Sequence, residues 1–137
     1  MRIFLDANVL VAIVNREYPA FTPCAKIISL ADRSGFNIVS SSLSIAITWY
    51  FAAKKHGENL ARKKLEILLK HVIIAPCGPE EVELAIKQQN AHDFEDALQY
   101  FSALGADCDH IVSSNAPDFY FANIPVSDPE TFFRYVY

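Results

Sequence analysis

Acidic side chains stand at several points of this chain where chemistry would use them. Asp6 directly follows the apolar run "RIFL", Asp93 and Asp96 open "HDFEDALQYFSAL", and Asp118 lies in "SSNAPDFY" beside Asn115. A carboxylate straight after a buried run is costly unless hydrogen-bond donors or a cation answer it. Asp93 and Asp96 share one helical face. Asp96 also precedes Ala97, at the edge of an apolar stripe made by Phe94, Leu98 and Phe101 and widened by Ala97 and Leu104. Carboxylates gathered in one place repel unless a cation lies between them, and an all-oxygen set suits Mg²⁺ or Mn²⁺. Such an ion can activate water and brace a phosphodiester for in-line attack.

Each acid also has an ordinary structural reading. Asp93 is a natural N-cap, and acids in a first turn complement the helix dipole. Asp6 can cap the turn that follows it, with Asn8. Asp118 can serve turn chemistry around Asn115 and Pro117. Asp107 and Asp109 flank Cys108 ahead of a strand, at its amino end, and read as loop residues.

The elements that must position these residues alternate in type. "RIFL" is a short buried strand, "VLVAIV" an apolar helical turn or two, and "TPCAKIISLADRSG" a helix capped by Thr22, with Pro23 at its first position and Gly35 at its end. "FNIVS" is a strand, followed by the helices "SLSIAITWYFAAKKHG" and "ENLARKKLEILLKH", the second with Leu60, Leu65, Leu68 and Leu69 inside. "VIIAP" is a third strand, "GPEEVELAIKQQ" a helix started by Pro79 and two acids, and "DFEDALQYFSALG" the acid-led helix. "HIVSS" is a fourth strand, and "PVSDPETFFRYV" a short closing element. Strands alternating with helices predict a parallel sheet covered on both faces. Ligands of such sheets bind at the carboxyl ends of the strands, where Asp6 falls and which Asn115 lies just beyond.

A chain of 137 residues suits one domain with a sizeable core. Its net charge of −4 argues against a broadly electropositive nucleic-acid binder and leaves room for a local basic patch. Lys54, Lys55, Arg62, Lys63 and Lys64 are that patch. Lys54 and Lys55 are candidate substrate-binding residues through phosphate, against the usual reading of a solvated helix face. Cys24, Cys77 and Cys108 form no CxxC pair and read as reduced thiols, which points to a cytosol. The four histidines have no metal-ligand spacing, so a Zn²⁺ site is not expected. The opening "MRIFLDANVLVAIVN" is interrupted by Asp6 and Asn8 and reads as neither a signal peptide nor a membrane span. Trp49, Tyr50 and Phe51 cannot all face inward on one helix, so one side is left for a partner surface.

Taken in order, "MRIFLDANVLV", "DFEDALQYFSAL", "HIVSSNAPDF" and "IPVSDPETFF" resemble the PIN-domain family over nearly the whole chain, and are similar to its VapC-type toxin members. The resemblance implies a single PIN-like domain over residues 1–137, an α/β/α three-layer sandwich with a central, mainly parallel sheet. It implies a divalent-metal-dependent endoribonuclease using Mg²⁺ or Mn²⁺, the toxin of a toxin–antitoxin pair. Carried onto this sequence, the catalytic acids are Asp6, Asp96 and Asp118. The metal-binding set is Asp6, Asp96, Asp93, Asn115 and Asp118, with Asn8 and Ser114 supporting. On this reading Asp93 caps its helix while Asp96 faces the metal. The resemblance also implies RNA as substrate, a homodimer, and an antitoxin whose tail lies across the acidic groove.

One departure keeps a second reading open. The family carries a Glu on the helix after the second strand, in a "SLSxAE"-like context. Here the run is "SSSLSIAITWYF", the matching position is Ile47 with Thr48 next, and no acid occurs between Asp32 and Glu58. The alternative is therefore a catalytically impaired PIN-like module that binds RNA or a protein partner. A "DxN" after a strand is also similar to haloacid-dehalogenase phosphatases, but those need a second Asp where this chain has Asn8.

Overall fold

A computed structural model describes residues 1–136. Five parallel strands form one sheet in the order β3-β2-β1-β4-β5. They are β1 (Arg2–Leu5), β2 (Asn37–Ser41), β3 (Ile73–Ala75), β4 (His110–Val112) and β5 (Val126–Ser127). The helices are α1 (Ala7–Val14), α2 (Phe21–Ile28), α3 (Ser42–His56), α4 (Glu58–Leu68), α5 (Pro79–Lys87), α6 (Phe94–Gly105) and α7 (Phe133–Val136). Short 3₁₀ turns cover Ser29–Asp32 and Ala116–Phe119.

β1 shows why the sheet must be covered on both faces. Its side chains alternate: Ile3 and Leu5 enter a core with Val9, Leu10, Ile27, Leu65 and Phe132, whereas Phe4 enters a second core with Tyr100, Ala103, Ile111 and Phe119. A strand buried on both sides reads as an unbroken apolar run, as "IFL" does. Helices α1 to α4 thus lie over one face and α6 over the other, with α5 packed on α6 through Ala85, Ala97 and Leu98. The result is the expected three-layer sandwich. At the amino end of the sheet, the Arg2 amide donates to Asp109 at 2.7 Å and the Arg2 side chain donates to the Ala106 carbonyl at 2.7 Å.

Several boundaries differ from the sequence reading. Helix α2 begins at Phe21 with Ala20 as an uncapped N-cap, so Thr22 and Pro23 both lie inside its first turn, where the backbone N–H groups lack intrahelical acceptors anyway. It passes into the 3₁₀ turn before Gly35 is reached. Helix α4 stops at Leu68, and Leu60 and Leu69 face solvent at 44% and 45% exposure. The buried stripe is Ala61, Leu65 and Leu68, because i, i+4 and i+7 share a face and Leu60 falls off it. Gly57 joins α3 to α4 at φ 84°, a left-handed value that glycine takes without steric cost. The closing element divides into β5 and α7. Of the aromatic trio, Trp49 is half-buried with Arg62 4.9 Å over its ring, while Tyr50 and Phe51 are exposed.

Candidate active site

Strand order reverses at β1: the chain builds outward through β2 and β3 on one side, then returns to place β4 and β5 on the other. The crevice at such a switch point, beyond the carboxyl ends of the strands, is where open α/β sheets bind ligands. Asp6 closes β1 at this crevice, and its amide donates to the Val112 carbonyl of β4 at 3.0 Å. It is also the N-cap of α1, with its Oδ1 accepting from the Ala7 amide at 2.8 Å. The structural and chemical readings of this residue therefore coexist.

A cleft of about 380 Å³ opens there, lined by the polar residues Asp6, Asn8, Glu17, Asp93, Glu95, Asp96, Asn115 and Asp118 and by the apolar Ala7, Val11, Ile47 and Phe51. No Lys, Arg or His lines it. Asp6 is buried, Asp96 half-buried, and Asp93, Asn115 and Asp118 are exposed. Asp93 caps α6, accepting from the Glu95 amide at 2.9 Å, so it too caps and lines the cleft at once.

The electrostatics follow from burial and like charge. Burial drives the Asp6 carboxyl pKa up, offset in part by donors from Ser113, Ala7 and Gln99, and Asp118 pushes it further upward. The Asp96 pKa is pushed up to about 7, first by partial burial and then by Asp6, Asp93, Asp118 and Glu95. Glu95 moves the same way, through burial, Asp93 and Asp6. With no cationic side chain among them, these acids are relieved of mutual repulsion either by keeping protons or by a cation from solution.

The donors are all oxygens, carboxylate or carboxamide, which fits a hard divalent ion and excludes a soft-ligand centre. Among the described residues, however, no group of three or more His, Cys, Asp or Glu is drawn together closely enough to hold a metal outright. The set fits Mg²⁺-like binding, in which one or two carboxylates act and waters complete the shell. Asp6 and Asp96 are the two most buried acids of the cleft and are the carboxylates that could hold such an ion.

Other residues stand differently from their sequence reading. Ser114 is exposed, and only its amide takes part, donating to Asn8 Oδ1 at 3.0 Å. Its neighbour Ser113 is the buried partner, donating to Asp6 Oδ2 at 2.8 Å. Asn8 Nδ2 reaches Asp6 Oδ2 at 3.4 Å and Ser113 Oγ at 3.3 Å. Lys54 and Lys55 do not line the cleft, and Lys55 donates instead to the Asn15 carbonyl at 2.6 Å. Ile47 does line it. Sequence reasoning missed Gln99, which is fully buried and donates to Asp6 Oδ1 at 3.3 Å. Gln99 lies one helical turn from Asp96 but off the Phe94–Leu98–Phe101 stripe, so no local pattern singles it out.

The family comparison agrees with this geometry. The PIN domain family matches residues 2–116, most of the chain. The chain belongs to the PIN-domain family. No curated protein matches it. Among solved structures, this PIN domain resembles VapBC2 from Rickettsia felis bound to a DNA fragment from its promoter, at TM-score 0.71 and 18% identity over 93% of this chain and 98% of that one. VapBC-1 from nontypeable Haemophilus influenzae aligns at TM-score 0.69 and 17% identity over 95% and 99% of the two chains. Mycobacterium tuberculosis VapC20, a sarcin–ricin loop cleaving toxin, aligns at 0.62 and 16% over 80% and 86%. At these identities the likeness is one of fold. The PIN domain described here carries no acid on α3, and no helix among its described residues is long and apolar enough to cross a membrane.

Proposed function

We propose that this PIN domain is a divalent-metal-dependent endoribonuclease, the toxin of a toxin–antitoxin pair, acting in the cytosol. The observation that carries the proposal is the pairing of buried Asp6 with half-buried Asp96 in one cleft that no cationic side chain lines. Asp6 and Asp96 would hold Mg²⁺ or Mn²⁺, with Asn115 adding a neutral oxygen and Asp93 an exposed one. The ion, when bound, supplies charge neutralisation and activation of water for in-line displacement at phosphorus. Asn8 and Ser113 keep the Asp6 carboxylate oriented through their hydrogen bonds. Asp118, an exposed residue of the cleft lining, would take a proton from water entering the cleft. Lys54 offers a phosphate contact on α3, one turn beyond Phe51. The further partners on this reading are a small antitoxin protein and a second copy of the chain, in keeping with structural neighbours that are VapBC proteins.

A second reading has its own observation. Ile47 lines the cleft where the family carries a Glu, and a PIN-like module with impaired catalysis that binds RNA or a protein would look the same. Calorimetric titration and an RNA cleavage assay separate the two. Mn²⁺ is expected to bind, more tightly than Mg²⁺ by the usual order of first-row ions, and to support cleavage that Asp6→Asn and Asp96→Asn abolish. An Asp6→Asn protein that binds Mn²⁺ as well as the parent would refute the site. Binding without cleavage would favour the second reading.

A further inference from the structure

The polar residues buried behind the cleft form one connected unit. Gln99, Ser41 and Ser44 are each fully buried, on α6, at the end of β2 and on α3 respectively. Ser41 Oγ donates to Gln99 Oε1 at 2.5 Å and accepts from the Ser44 amide at 3.0 Å as the N-cap of α3. Gln99 Nε2 donates to Ser44 Oγ at 2.5 Å and to Asp6 Oδ1 at 3.3 Å. All the hydrogen-bonding groups of this buried amide lead to named partners, and those partners lie on three different elements.

The amide has one workable orientation. Turned over, its carbonyl oxygen would face the Asp6 carboxylate, an acceptor against an acceptor in a site without water-like dielectric. Asp6 therefore dictates the direction of the amide, and Ser41, anchored by its capping role, holds it there. The influence also runs the other way. Asp6 Oδ2 is steered by Ser113 and Asn8, and Oδ1 by the Ala7 amide and Gln99. Gln99 is the one of these donors that reaches Asp6 from α6, the helix that also carries Asp96. It is a direct side-chain link between the elements bearing the two acids.

We propose that Gln99 is a positioning residue for the metal site. Through Ser41 and Ser44 it sets the carboxylate of Asp6 relative to Asp96 and ties in α3, the helix that brings no acid of its own. The inference rests on the reading of Asp6 and Asp96 as metal ligands. Partners that orient a ligand from behind are typically worth about 10–100-fold in metal affinity. A purely structural Gln99 would affect folding alone.

The test uses Gln99→Met, which fills similar volume without a donor, and Ser41→Ala, which keeps the donor but frees the amide. Mn²⁺ affinity is read by calorimetry and the symmetry of the bound ion by its paramagnetic resonance spectrum, at a temperature where circular dichroism shows each variant folded. Gln99→Met is expected to bind Mn²⁺ about tenfold more weakly, with an altered spectrum, and Ser41→Ala to fall between it and the parent. The double variant is expected to bind no more weakly than Gln99→Met alone, since both act through one bond to Asp6. Parent-like affinity and spectrum in folded Gln99→Met would overturn the positioning role while leaving the metal site intact. If Gln99→Met does not fold, Ser41→Ala alone decides: a parent-like spectrum overturns the role and an altered one supports it. A parent protein that binds no Mn²⁺ overturns the reading of the site and this inference together.

Discussion

Ser113 and Asp6 stand 107 residues apart in the chain and meet at 2.8 Å, hydroxyl to carboxylate, beyond the carboxyl ends of β4 and β1. The same hydroxyl oxygen accepts from the Asn115 amide at 3.0 Å and from Asn8 Nδ2 at 3.3 Å. One small buried side chain thus ties the β4 loop, with Asn115 at the cleft, to the acid that ends β1.

Ser113→Ala should accordingly act on both stability and the site. It leaves the Asn115 amide without its acceptor and removes a donor from a buried carboxylate. Loss of a partner from such a group costs about 1–3 kcal/mol. Chemical denaturation should show a lower midpoint with an unchanged slope. Ser114→Ala, whose exposed side chain makes none of these bonds, should leave the unfolding free energy within about 0.5 kcal/mol of the parent's. Equal losses in the two variants would contradict the assignment of Ser113 as the partner.

The pH dependence of the metal-free protein follows from Asp96. Its pKa is raised from 3.8 to about 7, so the folded state keeps a proton that the unfolded chain releases near the lower value. The folded state therefore binds more protons across that window, and this group's contribution is fully present below about pH 4 and lost as pH rises through about 7. Asp96→Asn should flatten that part of the melting profile and melt above the parent at pH 8. Metal binding carries the opposite sign, since a ligand carboxylate must be ionised. Mn²⁺ affinity should rise with pH up to about 7 and then level off. Parallel melting curves for parent and Asp96→Asn from pH 4 to 8 would contradict the raised value.

What could be seen in the sequence was whatever a local pattern encodes. The unbroken "IFL" announces a strand buried on both faces, and an Asp directly after it announces the carboxyl end of the sheet. Asp93 and Asp96 were visible because helical spacing alone puts them on one face. Gln99 and Ser113 were not, since their importance comes from partners 93 and 107 residues away, which no local periodicity carries. Ser113 and Ser114 are indistinguishable in the sequence for the same reason: adjacent serines look alike until strand register buries one of them. Leu60 and Leu69 are exposed and Ala61 takes the buried position, because helical phase and not leucine content decides which side of α4 is covered. β5, two residues long, is a strand only because β4 supplies its partner.

The remaining prediction concerns Ile47. It lies half-buried on α3 at the wall of the cleft, beside the space that Asp6 and Asp96 border. A Glu there would have its carboxylate at the cleft rather than sealed in the core. Ile47→Glu should bring a further oxygen ligand, tighten the divalent cation and help orient the attacking water. Without metal the new charge faces like charges, so the variant should melt below the parent at neutral pH. Mn²⁺ should recover that loss by linkage, since only the folded state offers the site. Were Ile47 core packing and nothing more, a Glu would be an unpaired buried charge costing on the order of several kcal/mol whatever the metal. Melts with and without Mn²⁺, alongside RNA cleavage, distinguish the two. A larger Mn²⁺-induced rise in melting temperature than the parent shows, with faster cleavage, is the expected result. A variant that melts low, gains nothing from Mn²⁺ and cleaves no faster would show that α3 has no latent ligand position at Ile47.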